Sequence, residues 1–301
     1  MKQSPPCKLS ILVVSYNHRP YIGEAMESIL QQDTDFKYEI VVADDCSTDE
    51  TLAVIREFQS KYPDIIRILD SDVNLGITRN YQRGFAACQG EYLAVLEGDD
   101  YWLGKDRLQT LVHFMDEHLE CVMAFNRILY KNTAVPNCRP LQWDTNFSYE
   151  LKSGADLAYR NFIGNFSACI YRSEAIAQQP ETLYDLKTYD WLFNLSISRL
   201  GLIAYLPQIR SVYRQHSNGT WSGMSGVDQL AEMLRIIPIY DSFLQGVYAP
   251  QFQAHLHELQ NEYDRVNDAE LWRHHKRNPF VWVQIALRRL CRHLLRKLHL
   301  R

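Results

Sequence analysis

Four short apolar runs, each rich in β-branched residues and the first three followed by helical patterns, constrain this chain more than any other feature. Leu9–Ser15 (LSILVVS) and residues 38–43 (YEIVVA), 65–69 and 91–96 (EYLAVL) are too short for buried helices. They lack the strict polar alternation of half-exposed strands, so they read as strands buried on both faces. Between them lie helical patterns, one through Ala25, Ile29 and Leu30, one through Leu52, Ile55 and Phe58, and one over 79–88. Ser47 or Thr48 is the expected N-cap of the second, and Gly90 the expected C′ residue of the third. Such alternation predicts β-α-β units and a mostly parallel sheet. In sheets of that kind ligands bind outside the carboxyl ends of the strands. The polar clusters stand there: Tyr16-Asn17, Asp44-Asp45, and Glu97-Gly98-Asp99-Asp100.

Carboxylates placed side by side repel, and a bound cation or a ligand donor is the usual reason for keeping them together. A hard divalent ion held by one or two carboxylates, with waters and phosphate oxygens completing its shell, is typical of diphosphate sites. The plainer account is that acidic residues are favoured at helix starts. It serves Asp44-Asp45 better than Asp99-Asp100, because Tyr101-Trp102 follow the second pair and the next clear helix begins near Lys105. Neither G-x-G-x-x-G nor a P-loop follows the first strand, which lowers dehydrogenases and P-loop enzymes as readings. H-E-x-x-H and G-x-S-x-G are absent too.

Charge is distributed unevenly. The net charge of −4 combines 32 Lys and Arg with 36 Asp and Glu over 301 residues. The last 31 residues hold nine of the basic groups and no acidic one, which leaves 23 basic against 36 acidic groups, net −13, in the body. An acidic body argues against nucleic-acid binding, which needs a broad basic surface. The seven cysteines are odd in number and scattered, with no C-x-x-C pair, so reduced thiols in a cytoplasmic protein are expected. The start of the chain carries no signal-peptide pattern, and no run approaches the roughly 18 apolar residues of a membrane span. The triplets Asn165-Phe166-Ser167 and Asn218-Gly219-Thr220 then read as chance glycosylation matches.

The order of clusters resembles the family-2 glycosyltransferases, inverting enzymes of the GT-A fold. The matching stretches are 11–32 (ILVVSYNHRPYIGEAMESILQQ), 39–51 (EIVVADDCSTDET), 74–102 (NLGITRNYQRGFAACQGEYLAVLEGDDYW), and 189–207 (YDWLFNLSISRLGLIAYLP) with 211–219 (SVYRQHSNG). The resemblance runs from about residue 9 to residue 221, roughly two thirds of the chain. The resemblance implies an α/β GT-A catalytic domain over 1–225, and the change of pattern after it marks a helical C-terminal region over 226–301. It implies that Tyr16 stacks on a nucleotide base, with Asn17 shaping the turn. Asp45 would accept a hydrogen bond from N3 of uracil or thymine, a carboxylate suiting that N–H donor, while Asp44 supports the turn. Arg79 would face the diphosphate, although it could equally be a solvated helix residue. Gly76 would serve backbone conformation.

Glu97-Gly98-Asp99-Asp100 takes the family's D-x-D place, with Glu97 where Asp is usual. By this match Asp100 is the direct ligand of Mg²⁺ or Mn²⁺, Asp99 contacts the ribose or completes the metal shell, and His216 is a third ligand or a diphosphate contact. A lone His is more often a surface or satisfied core residue. Asp190 matches the catalytic base, with Tyr189 before it where Glu is common. The plain alternative is an aspartate at a helix start. The processive Q-x-x-R-W motif is replaced by Tyr213-Arg214-Gln215-His216, which argues for one sugar per encounter.

Three helical stretches follow residue 226, at about 227–244, 250–273 and 279–298. In the last, Val283, Leu287, Leu290, Leu294 and Leu298 form one stripe, with Arg288, Arg289, Arg292 and Arg296 on the other side. A basic amphipathic helix reads as an anchor at an anionic membrane surface. The alternative is a helix packed on the acidic body or on a partner. The sequence therefore predicts a non-processive, metal-dependent inverting glycosyltransferase, peripheral at the cytoplasmic membrane face. It would use a UDP- or dTDP-linked sugar and a cell-surface glycan or lipid-linked acceptor. The rival is an inactive relative serving as a binding or scaffold subunit.

Overall fold

The computed structural model describes residues 7–134, 137–186, 190–217, 219 and 221–275. Contacts divide the chain into two compact units, Met1–Gly219 and Thr220–Arg301. The proposed basic membrane helix over 279–301, and Tyr189, lie outside the described residues.

The strands are β1 Leu9–Ser15, β2 Tyr38–Asp44, β3 Ile66–Leu69, β4 Tyr92–Glu97, β5 Tyr101–Trp102, β6 Cys121–Asn132, β7 Asn137–Pro140, β8 Glu150–Lys152, β9 Cys169–Arg172 and β10 Leu202–Gln215. The helices are α1 Ile22–Leu30, α2 Thr51–Lys61, α3 Ile77–Ala87, α4 Arg107–Glu117, α5 Gly154–Tyr159, α6 Ser173–Ala177, α7 Asp190–Ile197, α8 Gly226–Phe243 and α9 Ala249–His275. Among the described residues the strands form one sheet in the order β3-β2-β1-β4-β9-β6-β10-β5, with β7 on β6 and β8 on β10. The half built from the four sequence-predicted runs is parallel throughout. Antiparallel β9 joins it to β6, and β6 runs parallel to β10.

β1 lies at the centre of the parallel half, and all seven of its residues are buried. Ile11 and Val13 pack with Ile22, Ala25, Met26 and Ile29 of α1 in the main core. Each such aliphatic side chain contributes about 1.5–3 kcal/mol by leaving water. In register, Ser15 of β1 faces Asp44 of β2, and Val14 faces Glu97 of β4. The three acidic or polar strand ends therefore emerge level with one another.

Two helix-end expectations are corrected. Neither Ser47 nor Thr48 caps α2, whose N-cap is Glu50 with no side-chain bond. The Ser47 hydroxyl is engaged by Asp44, and Thr48 by the Asn17 side chain. Asp49 instead accepts from the amide and hydroxyl of Thr51. Gly90 is no helix C′ residue either, because α3 ends at Cys88 in extended backbone. Gly90 is required by a close approach. A Cβ there would stand 2.4 Å from the Ser10 nitrogen and 2.6 Å from the Leu9 carbonyl carbon, both backbone of β1. At Gly84 of α3 the three atoms nearest a Cβ all belong to the Leu12 side chain, the closest at 2.5 Å. Gly90→Ala is expected to destabilise by about 3 kcal/mol, the upper end for overpacking, because a central strand has nowhere to move. Gly84→Ala should cost less, since Leu12 can change rotamer. Urea midpoints at unchanged slope would measure both.

In the second unit α8 and α9 pack together, and α8 buries Ile236, Ile237 and Tyr240. The Ser225 hydroxyl caps α8 by accepting from the Asp228 amide.

Candidate functional site

The residues singled out in the sequence gather where β1, β2, β4 and β10 end and where α3 and α7 begin. Tyr16 leaves β1 and is 44% exposed. Asn17 adopts left-handed backbone at φ 56°, a conformation Asn tolerates better than most residues. Its amide donates to the Ser47 hydroxyl, and its side-chain oxygen accepts from the Thr48 amide at 2.8 Å. Asn17 thus staples the loop after β1 to the loop after β2.

The two aspartates at the end of β2, Asp44 and Asp45, hold two different loops. Asp44 accepts from the hydroxyls of Ser15 and Ser47 and from the Ser47 amide. Asp45 accepts from the amides of Leu75 and Gly76 at 2.8 and 2.9 Å. It is buried and holds the turn that enters α3, where Gly76 has φ 81°. One lone pair on each Asp45 oxygen remains for a further donor. Arg79, on the first turn of α3, is half-exposed and paired with Asp185 and Gln82.

At the end of β4, neighbouring aspartates face opposite ways. Asp100 is 0% exposed. Its Oδ2 accepts from Asn165 Nδ2 at 2.5 Å and from the Ser167 hydroxyl at 2.6 Å, and its Oδ1 accepts from the Arg214 amide at 2.9 Å. The sequence expectation makes Asp100 the direct metal ligand; here its carboxylate is turned inward and takes three protein donors. Burial and the neighbouring Asp99 push it well above the usual carboxylate range, and those donors oppose the shift. Asp99 points the other way. Its Oδ2 lies 2.9 Å from His216 Nε2 and 3.8 Å from His18 Nε2. Burial raises the Asp99 carboxyl, but the His216 hydrogen bond and the two imidazoles bring it below its ordinary value. Glu97 accepts from the Tyr81 hydroxyl at 2.9 Å. Burial, then the charges of Asp100 and Asp99, push its carboxyl far upward.

Asp190 opens α7, and Asn161 Nδ2 approaches its Oδ2 at 3.5 Å. Burial pushes its carboxyl up to about 6. Tyr81, Glu97 and Tyr213 each feel the charge of both Asp99 and Asp190. Asp99 and Asp190 therefore lie within electrostatic reach of the same three side chains.

A divalent ion at such a site would find one carboxylate and one imidazole, Asp99 and His216. That donor set fits an ion that takes its remaining ligands from phosphate and water, and imidazole suits Mn²⁺ better than Mg²⁺. Among the described residues no group of three or more His, Cys, Asp or Glu side chains is placed to hold a metal.

The residues that hold this arrangement stand out in no sequence pattern. Asn165 and Ser167, parts of an apparent chance triplet, grip Asp100 from 65 and 67 positions away. The Ser167 carbonyl is in turn fixed by Trp102 Nε1, Ser211 Oγ and the buried Arg107. Arg107 stacks on Trp102 at 4.0 Å, and burial lowers its guanidinium to about 9. Arg83 reaches the Asp44 carbonyl, and Asn80 the Ala43 carbonyl, so α3 braces the end of β2. No sequence spacing signals contacts this distant.

The model of glycosyl transferase family 2 matches residues 10–178. An uncharacterized protein of Mycobacterium tuberculosis is 34% identical over 216 residues, covering 71% of this chain and 60% of that protein. The match thus spans about three fifths of the length of this relative. Among solved structures, TarS 1-349 of Staphylococcus aureus in complex with UDP-GlcNAc superposes with TM-score 0.62 at 23% identity, covering 84% of this chain and 72% of that one. TarS is named a poly(ribitol-phosphate) beta-N-acetylglucosaminyltransferase. A mannosyltransferase of Pyrobaculum calidifontis, in complex with GDP-Man and Mn²⁺, superposes with TM-score 0.58 at 15% identity, covering 87% of this chain and 71% of that one.

Proposed function

The chain belongs to glycosyl transferase family 2 and has the GT-A fold, and from that premise we propose that it moves one sugar per encounter from a nucleoside-diphosphate sugar to an acceptor hydroxyl, inverting the anomeric centre. The observation that carries this reading is that Asp99, paired with His216 at 2.9 Å, and Asp190, at the start of α7, both act electrostatically on Tyr81, Glu97 and Tyr213. The nucleotide enters over Tyr16, with its base edge at Asp45. Its diphosphate lies against Asp99 and His216, and Arg79 exchanges Asp185 for a phosphate oxygen. Both partners of that surface pair are about half exposed, so releasing it costs at most about 1 kcal/mol. Asp190 takes the proton of the acceptor hydroxyl as its oxygen bonds to the anomeric carbon, and the bond from that carbon to the diphosphate oxygen breaks on the opposite face. When bound, a divalent ion would neutralise charge on the departing diphosphate.

UDP- or dTDP-linked donors suit the carboxylate at Asp45, and the TarS complex with UDP-GlcNAc supports a uridine nucleotide. A cell-surface glycan or lipid-linked acceptor is consistent with the poly(ribitol-phosphate) in the name of TarS. The purely basic segment over 279–301 would hold the protein at an anionic membrane surface. Intact protein that stays in solution with anionic vesicles at low salt would reject that role.

A thermal-shift screen of nucleotide sugars with Mn²⁺ tests the assignment. A true donor at a hundredfold its Kd stabilises by about 2.7 kcal/mol, and the absence of any nucleotide response would defeat the reading. A pH profile tests the base. With Asp190 near 6, kcat/KM should be flat above about pH 7 and fall tenfold per unit below about pH 6, as the carboxylate protonates. A rate undiminished at pH 5 would exclude Asp190 as the base.

A further inference from the structure

Two residues before His216, Arg214 makes more connections into the site than any sequence pattern suggested. It is 4% exposed. Its main-chain amide donates to Asp100 Oδ1 at 2.9 Å, and its Nη1 donates to the Asp99 carbonyl at 2.7 Å. Its Nη2 pairs with Glu24 of α1. The guanidinium lies 4.4 Å from the ring centre of Tyr101 and 5.2 Å from that of Tyr21. Tyr21 in turn packs on the His216 ring, with centroids 4.9 Å apart. One residue therefore grips the main chain of the Asp99-Asp100 turn and the ring that supports His216.

We propose that Arg214 is a positioning residue: it sets the separation of Asp99 and His216, and thereby the affinity of the site for a metal–nucleoside diphosphate complex. The proposal rests on the reading of Asp99 and His216 as the pair that faces the diphosphate. The closed path of contacts carries it. Asp99 is tied by its carbonyl to Arg214, the chain runs two residues on to His216, and His216 Nε2 returns to Asp99 Oδ2 at 2.9 Å. Fold stability does not by itself account for the arginine. The Glu24 partner is exposed, so the ion pair itself adds little to stability, and Met could fill the space between Tyr21 and Tyr101. Met could not supply a planar fork that reaches the Asp99 carbonyl and Glu24 at once. Lys would keep the charge but serve these two acceptors with a single point donor, so charge and positioning can be separated.

The experiment is calorimetric binding of UDP to the full chain, with and without Mn²⁺. Wild type is expected to bind UDP at least about tenfold more tightly with the ion. In Arg214→Met that enhancement should shrink to about twofold or less, while metal-free UDP affinity changes by less than about threefold. Arg214→Lys should not restore it, and millimolar ethylguanidinium should partly restore it in Arg214→Ala. Glu24 is exposed, so Glu24→Gln keeps the fold while loosening the guanidinium, and it should lose about half the enhancement. It decides the matter if Arg214→Met fails to fold. An undiminished Mn²⁺ effect in Arg214→Met, or in Glu24→Gln where only that variant folds, overturns the inference. Full restoration by Lys overturns it in favour of charge alone. Wild type with no Mn²⁺ effect overturns instead the placement of the diphosphate at Asp99 and His216, on which the inference depends.

Discussion

Asp190→Asn is expected to lower the transfer rate by about 10²–10⁴-fold, the usual contribution of a positioned general base, while leaving donor affinity within about twofold and making the protein more stable at neutral pH. The combination is diagnostic because a purely structural aspartate would show the opposite. Burial holds the Asp190 carboxyl at about 6, against 3.8 in an unfolded chain. With the folded value raised, the native state binds the proton more tightly than the unfolded state does. Stability is therefore lost as pH rises from about 4 to about 6, and the loss is complete above that window. At about 1.4 kcal/mol per pH unit the ceiling is ~3 kcal/mol. Residual solvent contact at Asp190 reduces this to ~1–2 kcal/mol. Asn is neutral at every pH, so the variant should melt a few degrees higher than wild type at pH 8 and together with it at pH 4. Release of nucleoside diphosphate, measured beside melting curves at the two pH values, checks both halves. An active variant, or an inactive one that has also lost donor binding or stability, would remove Asp190 from the role of base.

The parallel half of the sheet was legible because burial on both faces leaves an unbroken apolar signature. β1 spans the predicted residues, and β2 and β4 lie within a residue of them. β10 is fourteen residues long yet carries Pro207, Gln208 and Arg210, and its pairing with β6 shifts register at three places. Irregular strands of this kind leave no period to read. The site was half legible for a related reason. Clusters at strand ends mark where a ligand binds, but not which way each side chain turns. Asp44 and Asp45 differ in the loop they hold, and Asp99 and Asp100 differ in the face they present. In both pairs the choice is made by partners distant in sequence. Asn165, Ser167 and Arg214 claim Asp100, and His216 claims Asp99.

That division predicts opposite phenotypes for adjacent residues. Asp100→Ala removes the acceptor for three buried donors, the Asn165 amide, the Ser167 hydroxyl and the Arg214 backbone amide. Each buried donor left without a partner costs about 1–3 kcal/mol. Relief from burying a carboxylate beside Asp99 offsets part of the sum, leaving a net loss of about 3–5 kcal/mol and a melting point roughly 10 °C lower. Asp100→Asn keeps one acceptor oxygen but turns an amide N–H₂ toward a donor, so it should fall between wild type and Ala. Asp99→Ala leaves the His216 contact and the longer His18 contact unmade, and removes the charge that pushes Glu97 and Asp100 upward. Its melting point should stay within a few degrees of wild type, while the Mn²⁺-dependent part of UDP binding disappears. If Asp100 were a direct metal ligand, the pattern would reverse. Asp100→Ala would then keep its melting point without Mn²⁺ and lose the Mn²⁺ effect. Melting curves and UDP titrations on the two alanine variants decide between a carboxylate that binds the ion and one that fixes the turn beneath it.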